Sequence, residues 1–114
     1  MWDKRRKKRM RLLYYLKVYN EDELGILGRL IDISREGLLV LCNRLVESNT
    51  QLKLKLTLPS EYEGQKNLHL TAESVWCKKD LRHDGFNVGF RILNPSAETL
   101  EIIDFATQEH AFRE

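Results

Sequence analysis

The sequence predicts a mainly β domain: about six antiparallel strands in a barrel or sandwich, followed by one C-terminal α-helix. Three observations carry this. Apolar residues alternate with polar ones along several short runs, these runs recur at intervals of roughly 10 to 15 residues with turn-forming residues between them, and the apolar period becomes helical after Asn94-Pro95. At 114 residues the chain fits one compact domain with a single core.

The elements follow in order. "RLLYYLKVYN", "ILGRLIDIS" and "GLLVLCN" are rich in Leu, Ile, Val and Tyr, are separated by "EDELG" and "SREG", and read as three strands. In "QLKLKLTLP" Leu52, Leu54, Leu56 and Leu58 alternate with Gln51, Lys53, Lys55 and Thr57, and Pro59 is expected to end the strand because it has no N–H to donate. "NLHLTAESVWC" places Leu68, Leu70, Ala72 and Trp76 on one side and His69, Thr71 and Glu73 on the other. "FNVGFRI" sends Phe86, Val88, Phe90 and Ile92 inward and Asn87, Gly89 and Arg91 outward. "PSEYEGQK" and "KKDLRHDG" have loop composition. In the last segment Leu100, Ile102, Ile103, Phe105 and Ala106 recur at helical spacing. Pro95 or Ser96 opens the first turn there, and Glu98 sits where the helix dipole favours an anion. A helix from about residue 95 is expected to pack on one mouth or face of the strands.

Charge is distributed unevenly. Residues 1–11 hold Lys4, Arg5, Arg6, Lys7, Lys8, Arg9 and Arg11 against Asp3, a net +6, whereas the whole chain is only +2. The remainder is therefore net acidic by 4, and the division is a basic arm over 1–11 and a barrel-and-helix domain over 12–114. The apolar run Leu12–Leu16 is five residues long, shorter than the roughly 7 to 15 residues of a signal-peptide core and far short of a membrane span. A cytoplasmic protein is expected.

Catalytic patterns are missing. There is no Gly-x-Ser-x-Gly, P-loop or Gly-x-Gly-x-x-Gly, and Ser34 has no base nearby in sequence to activate it. His69, His83 and His110 fall on a strand, a loop and a helix without ligand spacing, and Cys42 and Cys77 stand alone as half-buried thiols. The expectation is a protein that is not an enzyme and uses no metal or cofactor.

The arm has three candidate uses on composition alone: a solvated tail with weak affinity for nucleic acid, attachment to a membrane surface, or a clamp for a phosphorylated ligand. The membrane option lacks a second, hydrophobic signal. For a clamp, Arg5 and Arg9 stand four apart, and each guanidinium can grip a phosphate or a guanine O6/N7 edge through two parallel hydrogen bonds. A second motif, "DISREG", places Asp32 and Ser34 two apart on an extended backbone, hence on one face, with Gly37 allowing a positive dihedral or a close backbone approach. Asp-x-Ser-x-x-Gly is equally the pattern of an ordinary turn whose side chains bond to their own backbone. Trp76 and Tyr14-Tyr15 have the character of a base-stacking platform, but their strand positions favour core packing for Trp76 and one tyrosine.

Together, Arg5-x-x-x-Arg9 before the first strand, Asp32-x-Ser34-x-x-Gly37 after it, and "NVGFRI" as a last strand before a helix resemble the PilZ domain family over nearly the whole chain. The resemblance implies a six-stranded antiparallel barrel with a C-terminal helix that binds the bacterial second messenger cyclic di-GMP. It gives Arg5 and Arg9 the phosphates and a guanine Hoogsteen edge, and lines a guanine pocket with Asp32, Ser34 and Gly37. Lys4, immediately before the first motif arginine, bears on whether one ligand or a stacked pair is held, and Arg6, Arg35 and Arg91 are candidate additional contacts. On this basis the chain is a receptor that changes shape on binding and signals through a protein partner. Its rivals are a PilZ-like interaction module that binds no nucleotide and a small barrel that binds RNA or DNA non-specifically.

Overall fold

The computed structural model describes residues 16–110, which form six strands and one helix. The strands are β1 (Lys17–Asn20), β2 (Ile26–Ile33), β3 (Gly37–Cys42), β4 (Gln51–Tyr62), β5 (Gln65–Lys79) and β6 (Phe86–Ile92), and the helix is α1 (Ala97–His110). They close an antiparallel barrel in the order β1-β2-β3-β6-β5-β4. Of the strand expected over residues 11–20, Lys17–Asn20 is seen, and residues 11–15 lie outside the described residues.

Alternation builds the interior as expected. Val18, Leu27, Leu30, Leu38, Val40, Leu54, Leu56, Leu68, Ala72 and Val88 are buried to 2% exposure or less and form one cluster. Closure leaves no unpaired strand edge, so ladder hydrogen bonds that would otherwise face water are satisfied within the chain.

Pro59 does not end its strand. β4 continues to Tyr62, because the pairing with β5 shifts between Thr57↔Asn67 and Tyr62↔Gln65 and gives the proline a stretch where no ladder N–H is needed. The segment read as a loop is thus the end of a β4–β5 hairpin, turned by Glu63 and Gly64 with φ of 49° and 82°, the positive pair that matches strand twist.

Helix α1 begins after Ser96, whose Oγ accepts the Thr99 N–H at 3.0 Å, so Ser96 is the N-cap and Pro95 stands outside the helix. Its Ile102, Ile103 and Ala106 are buried against the barrel, where the helix packs on β4 and β5. The Tyr62 and Phe105 rings pack in a tilted arrangement with centroids 4.8 Å apart, and Gln65 donates to Glu98 at 3.1 Å.

The β5–β6 loop is organised by one carboxylate. Asp80 Oδ1 accepts from the Asn87 amide at 2.7 Å, and Oδ2 accepts the backbone N–H groups of His83 and Arg82 at 2.6 and 3.1 Å, with His83 Nδ1 at 2.8 Å. Asn87 first and His83 next, then those backbone groups, hold the Asp80 carboxyl well below the usual carboxylate range. A carboxyl with a depressed folded-state pKa stabilises the fold above the range where the unfolded group titrates, and the contribution fades as pH falls. Asp80→Asn is expected to melt below wild type at neutral pH, with the gap closing between about pH 5 and pH 2. A gap independent of pH in thermal melts would refute this role.

Candidate functional site

The site predicted from the second motif lies where β2 turns into β3. Leu30 and Ile33 are both buried although three residues apart, which strict alternation forbids. A bulge reconciles them: Leu30 pairs with Val40 and Asp32 with Leu39, leaving Ile31 as the extra residue. Asp32 and Ser34 then flank the inward Ile33 and are half-buried on the outer side.

Locally the motif makes a tight turn. Ser34 N–H donates to Gly37 C=O at 2.9 Å, Ser34 Oγ accepts the Glu36 N–H at 3.2 Å, and Asp32 Oδ1 accepts the Ile33 N–H at 3.0 Å. The Glu36 carbonyl accepts the Ile92 N–H at 2.9 Å, tying the turn to β6. Of the two backbone roles open to Gly37, the structure uses close approach. A Cβ here would meet the Phe90 carbonyl oxygen at 2.3 Å. Arg35, at the exposed tip, reaches Asp104 of α1 with Nε to Oδ1 at 3.4 Å, linking turn to helix.

Register places this turn at one end of a row that crosses four strands on the outer face. Asp32 is opposite Leu39, Leu39 opposite Gly89, and Gly89 opposite Trp76. In the adjacent row Gly37 is opposite Arg91 and Arg91 opposite Glu73, and the Arg91 guanidinium pairs with the Glu73 carboxylate. Arg35 and Arg91 are therefore exposed but each engaged with an acid of the same chain.

Trp76 departs from the sequence expectation. Alternation puts it in the core with Leu68, Leu70 and Ala72, but the β5–β6 register shifts between Ser74 and Trp76, so the extra residue Val75 turns the tryptophan to the outer face. Its half-buried ring lies across Gly89, where a Cβ would sit 2.4 Å from the indole Nε1. Ser74, inward by the same alternation, lies before the shift and stays buried at 1% exposure. The signal available in sequence was Gly89, a glycine at an outward position of a strand, which leaves a slot for a neighbouring ring. Leu39, the half-buried residue between Asp32 and Gly89, also escaped the sequence reading.

Chemically the face combines a carboxylate and a hydroxyl at the turn with an aromatic ring and an apolar residue along the row. That set can hydrogen-bond a base edge and cover a base plane. Lys4, Arg5, Arg6 and Arg9 lie outside the described residues. Leu16 C=O accepts the Leu30 N–H at 2.7 Å, so the chain enters β1 beside the segment of β2 that leads to Asp32.

The PilZ domain family model matches residues 3–108. No curated protein matches the chain. Among solved structures, the inhibitor of motility MotI/DgrA of Bacillus subtilis is similar in fold, with a TM-score of 0.69 and 17% identity over 91% of this chain. The match takes in 50% of that protein's chain, so the present chain spans about half its length. No helix among the described residues is long and apolar enough to cross a membrane. With the family model covering the basic arm, the β2–β3 turn and the barrel alike, the chain belongs to the PilZ domain family.

Proposed function

We propose that the chain is a cytoplasmic receptor for cyclic di-GMP, without enzymatic activity, that passes the signal to a protein partner by a change of conformation. The observation that carries this is the outer row Asp32–Leu39–Gly89–Trp76 beside the β2–β3 turn, on a chain whose family match extends through both arginines of the basic arm. Asp32 and Ser34 supply an acceptor and a donor for a guanine edge, and the Trp76 ring supplies an apolar plane for the base or its sugar. The face is poor in available positive charge, since Arg35 and Arg91 are held by Asp104 and Glu73. Neutralising two phosphodiesters therefore falls to the arm, with Arg5 and Arg9 as bidentate contacts and Lys4 and Arg6 as neighbours.

Reach permits it. Arg9 is seven residues before Leu16, up to about 24 Å of chain, whereas the four-strand row measures only about 14 Å at ordinary strand spacing. Arg35 joins the two halves of the response: a phosphate that draws its guanidinium from Asp104 loosens the tie between the turn and α1, a route by which occupancy reaches the helix. That the structurally similar MotI/DgrA is described as an inhibitor of motility fits an output through another protein.

Titration calorimetry at physiological salt tests the proposal, with cyclic di-AMP and GTP as controls. Wild type is expected to bind cyclic di-GMP saturably and selectively. Arg5→Ala, Arg9→Ala and Trp76→Ala should each cost about 1 to 3 kcal/mol, roughly five- to a hundredfold in affinity. Equal affinity in Arg5→Ala and Arg9→Ala would overturn the clamp. No binding to wild type would leave an interaction module, and steeply salt-dependent binding without base preference would indicate non-specific nucleic-acid binding.

A further inference from the structure

The end of the barrel away from the β2–β3 turn carries three exposed leucines. Because every strand pair is antiparallel, the β1–β2, β3–β4 and β5–β6 loops share that end, opposite the β2–β3 turn and the start of α1. Their tips present Leu24, Leu45 and Leu81 at 102%, 59% and 96% exposure. Single exposed leucines are ordinary, but three on one mouth call for an occupant.

Their arrangement around the ring defines it. In the order β1-β2-β3-β6-β5-β4 the β1–β2 and β5–β6 hairpins stand on opposite sides, and the β3–β4 connection crosses between them. Val46 of that connection is buried and plugs the mouth, while its neighbour Leu45 stays outside. Leu24 follows Glu21, Asp22 and Glu23, whereas Leu81 lies among Lys78, Lys79 and Arg82. Asp80, also in that second loop, is consumed by its hydrogen bonds to Asn87, His83 and the loop backbone, which hold Leu81 outward; Asp84 is the other acid there. Glu23 is steadied by Arg44 and Glu21 by His69, so the acidic loop is pinned to the barrel as well.

We propose that this mouth is a self-association surface on which two copies of the chain meet end to end about a two-fold axis. A two-fold placed over the mouth sets Leu24 with its acidic loop against Leu81 with its basic loop, twice, and brings the two Leu45 side chains together near the axis. The surface is complementary to itself in both charge and hydropathy, which singles out a second copy over an unrelated partner. The contact leaves the outer face around Asp32 and Trp76 open, and it does not depend on nucleotide binding.

Sedimentation equilibrium of the full chain tests this. Wild type should be a dimer that weakens with added salt. Leu81→Asp should raise the dimer dissociation constant about a hundredfold or more, because the substitution acts at two places in each dimer. Circular dichroism on each variant keeps a loss of folding from being mistaken for a loss of association. In a Cys77→Ser background, Leu24→Cys and Leu81→Cys proteins should form a disulfide-linked dimer when mixed and none when each is oxidised alone, since the axis pairs unlike loops. A wild-type monomer up to about 0.5 mM, a dimer indifferent to Leu81→Asp, or cross-linking of Leu24→Cys with itself would each overturn the proposal.

Discussion

Gly37→Ala is expected to lower the melting temperature by about 10 to 15 °C, the effect of roughly 2 to 3 kcal/mol on a domain of this size. The added methyl would sit 2.3 Å from the Phe90 carbonyl oxygen, with the Phe90 carbonyl carbon and Arg91 Cα next nearest at 3.4 and 3.6 Å. All three are backbone atoms in the paired strand, so no side-chain rotation relieves the clash. β3 must instead draw away from β6 where Gly37 pairs with Arg91 and where the Glu36 carbonyl accepts the Ile92 N–H. That movement displaces the Ser34–Gly37 turn, and with it Asp32 and Ser34. On the proposed function, weaker cyclic di-GMP binding should therefore accompany loss of stability, even at temperatures where the variant remains folded. A melting temperature within about 2 °C of wild type would show that the strands yield at little cost, and the packing account of this glycine would fail.

The glycine of the second motif thus acts first through packing, and the motif as a whole is both a turn and a candidate site. Ser34 closes the turn through Glu36 N–H, and Asp32 bonds the Ile33 N–H, the local pattern that a purely structural motif would show. The Ser34 bond does not compete with ligand recognition, because a hydroxyl that accepts keeps its proton to donate. Local bonding orients the groups before a ligand arrives and so reduces the ordering cost of binding.

Period-two alternation was enough to find β4, β5 and β6, and apolar composition between turn residues was enough for β2 and β3, since burial of one face leaves little freedom in register. What alternation could not supply was the position of its own breaks. Bulges at Ile31 and Val75 each insert one residue and reverse the facing of everything beyond. The break at Ile31 did not disturb the expectation for Asp32 and Ser34, which depended only on their separation by two. The break at Val75 did matter: it falls between Ser74, which stays inward, and Trp76, which turns outward, and so moves a ring from the expected core to the candidate site. A bulge depends on how two distant strands pair, so "ESVWC" by itself carries no mark of it. Pro59 misled for a related reason: a proline disrupts a ladder, but an irregular hairpin end without a ladder tolerates it.

Ser74 provides the second large expected effect. Its side chain points inward, is 1% exposed, and bridges β5 to the β3–β4 connection: Oγ donates to the Glu47 carbonyl and accepts the Thr50 N–H at 2.9 Å. Backbone bonds run beside it, Ser74 N–H to Thr50 C=O at 2.9 Å and Asn49 N–H to Ser74 C=O at 2.7 Å. An alanine at this position keeps the backbone pair but removes the side-chain partner of the half-buried Thr50 N–H and one of two donors to the Glu47 carbonyl, which keeps Thr50 Oγ1 at 2.7 Å, at a cost of about 1 to 2 kcal/mol. Ser48→Ala, which removes only an exposed hydroxyl bond to Val75 C=O, should stay within about 0.5 kcal/mol of wild type. The loss at Ser74 should be local before it is global. Amide exchange at Asn49 and Thr50 is expected to accelerate while β2 and β3 remain protected, because the serine fastens the loop that carries the Val46 plug over the barrel mouth. If Ser74→Ala proves as stable as Ser48→Ala, the connection is held by packing of Val46 alone, and the buried hydroxyl contributes nothing beyond filling its place.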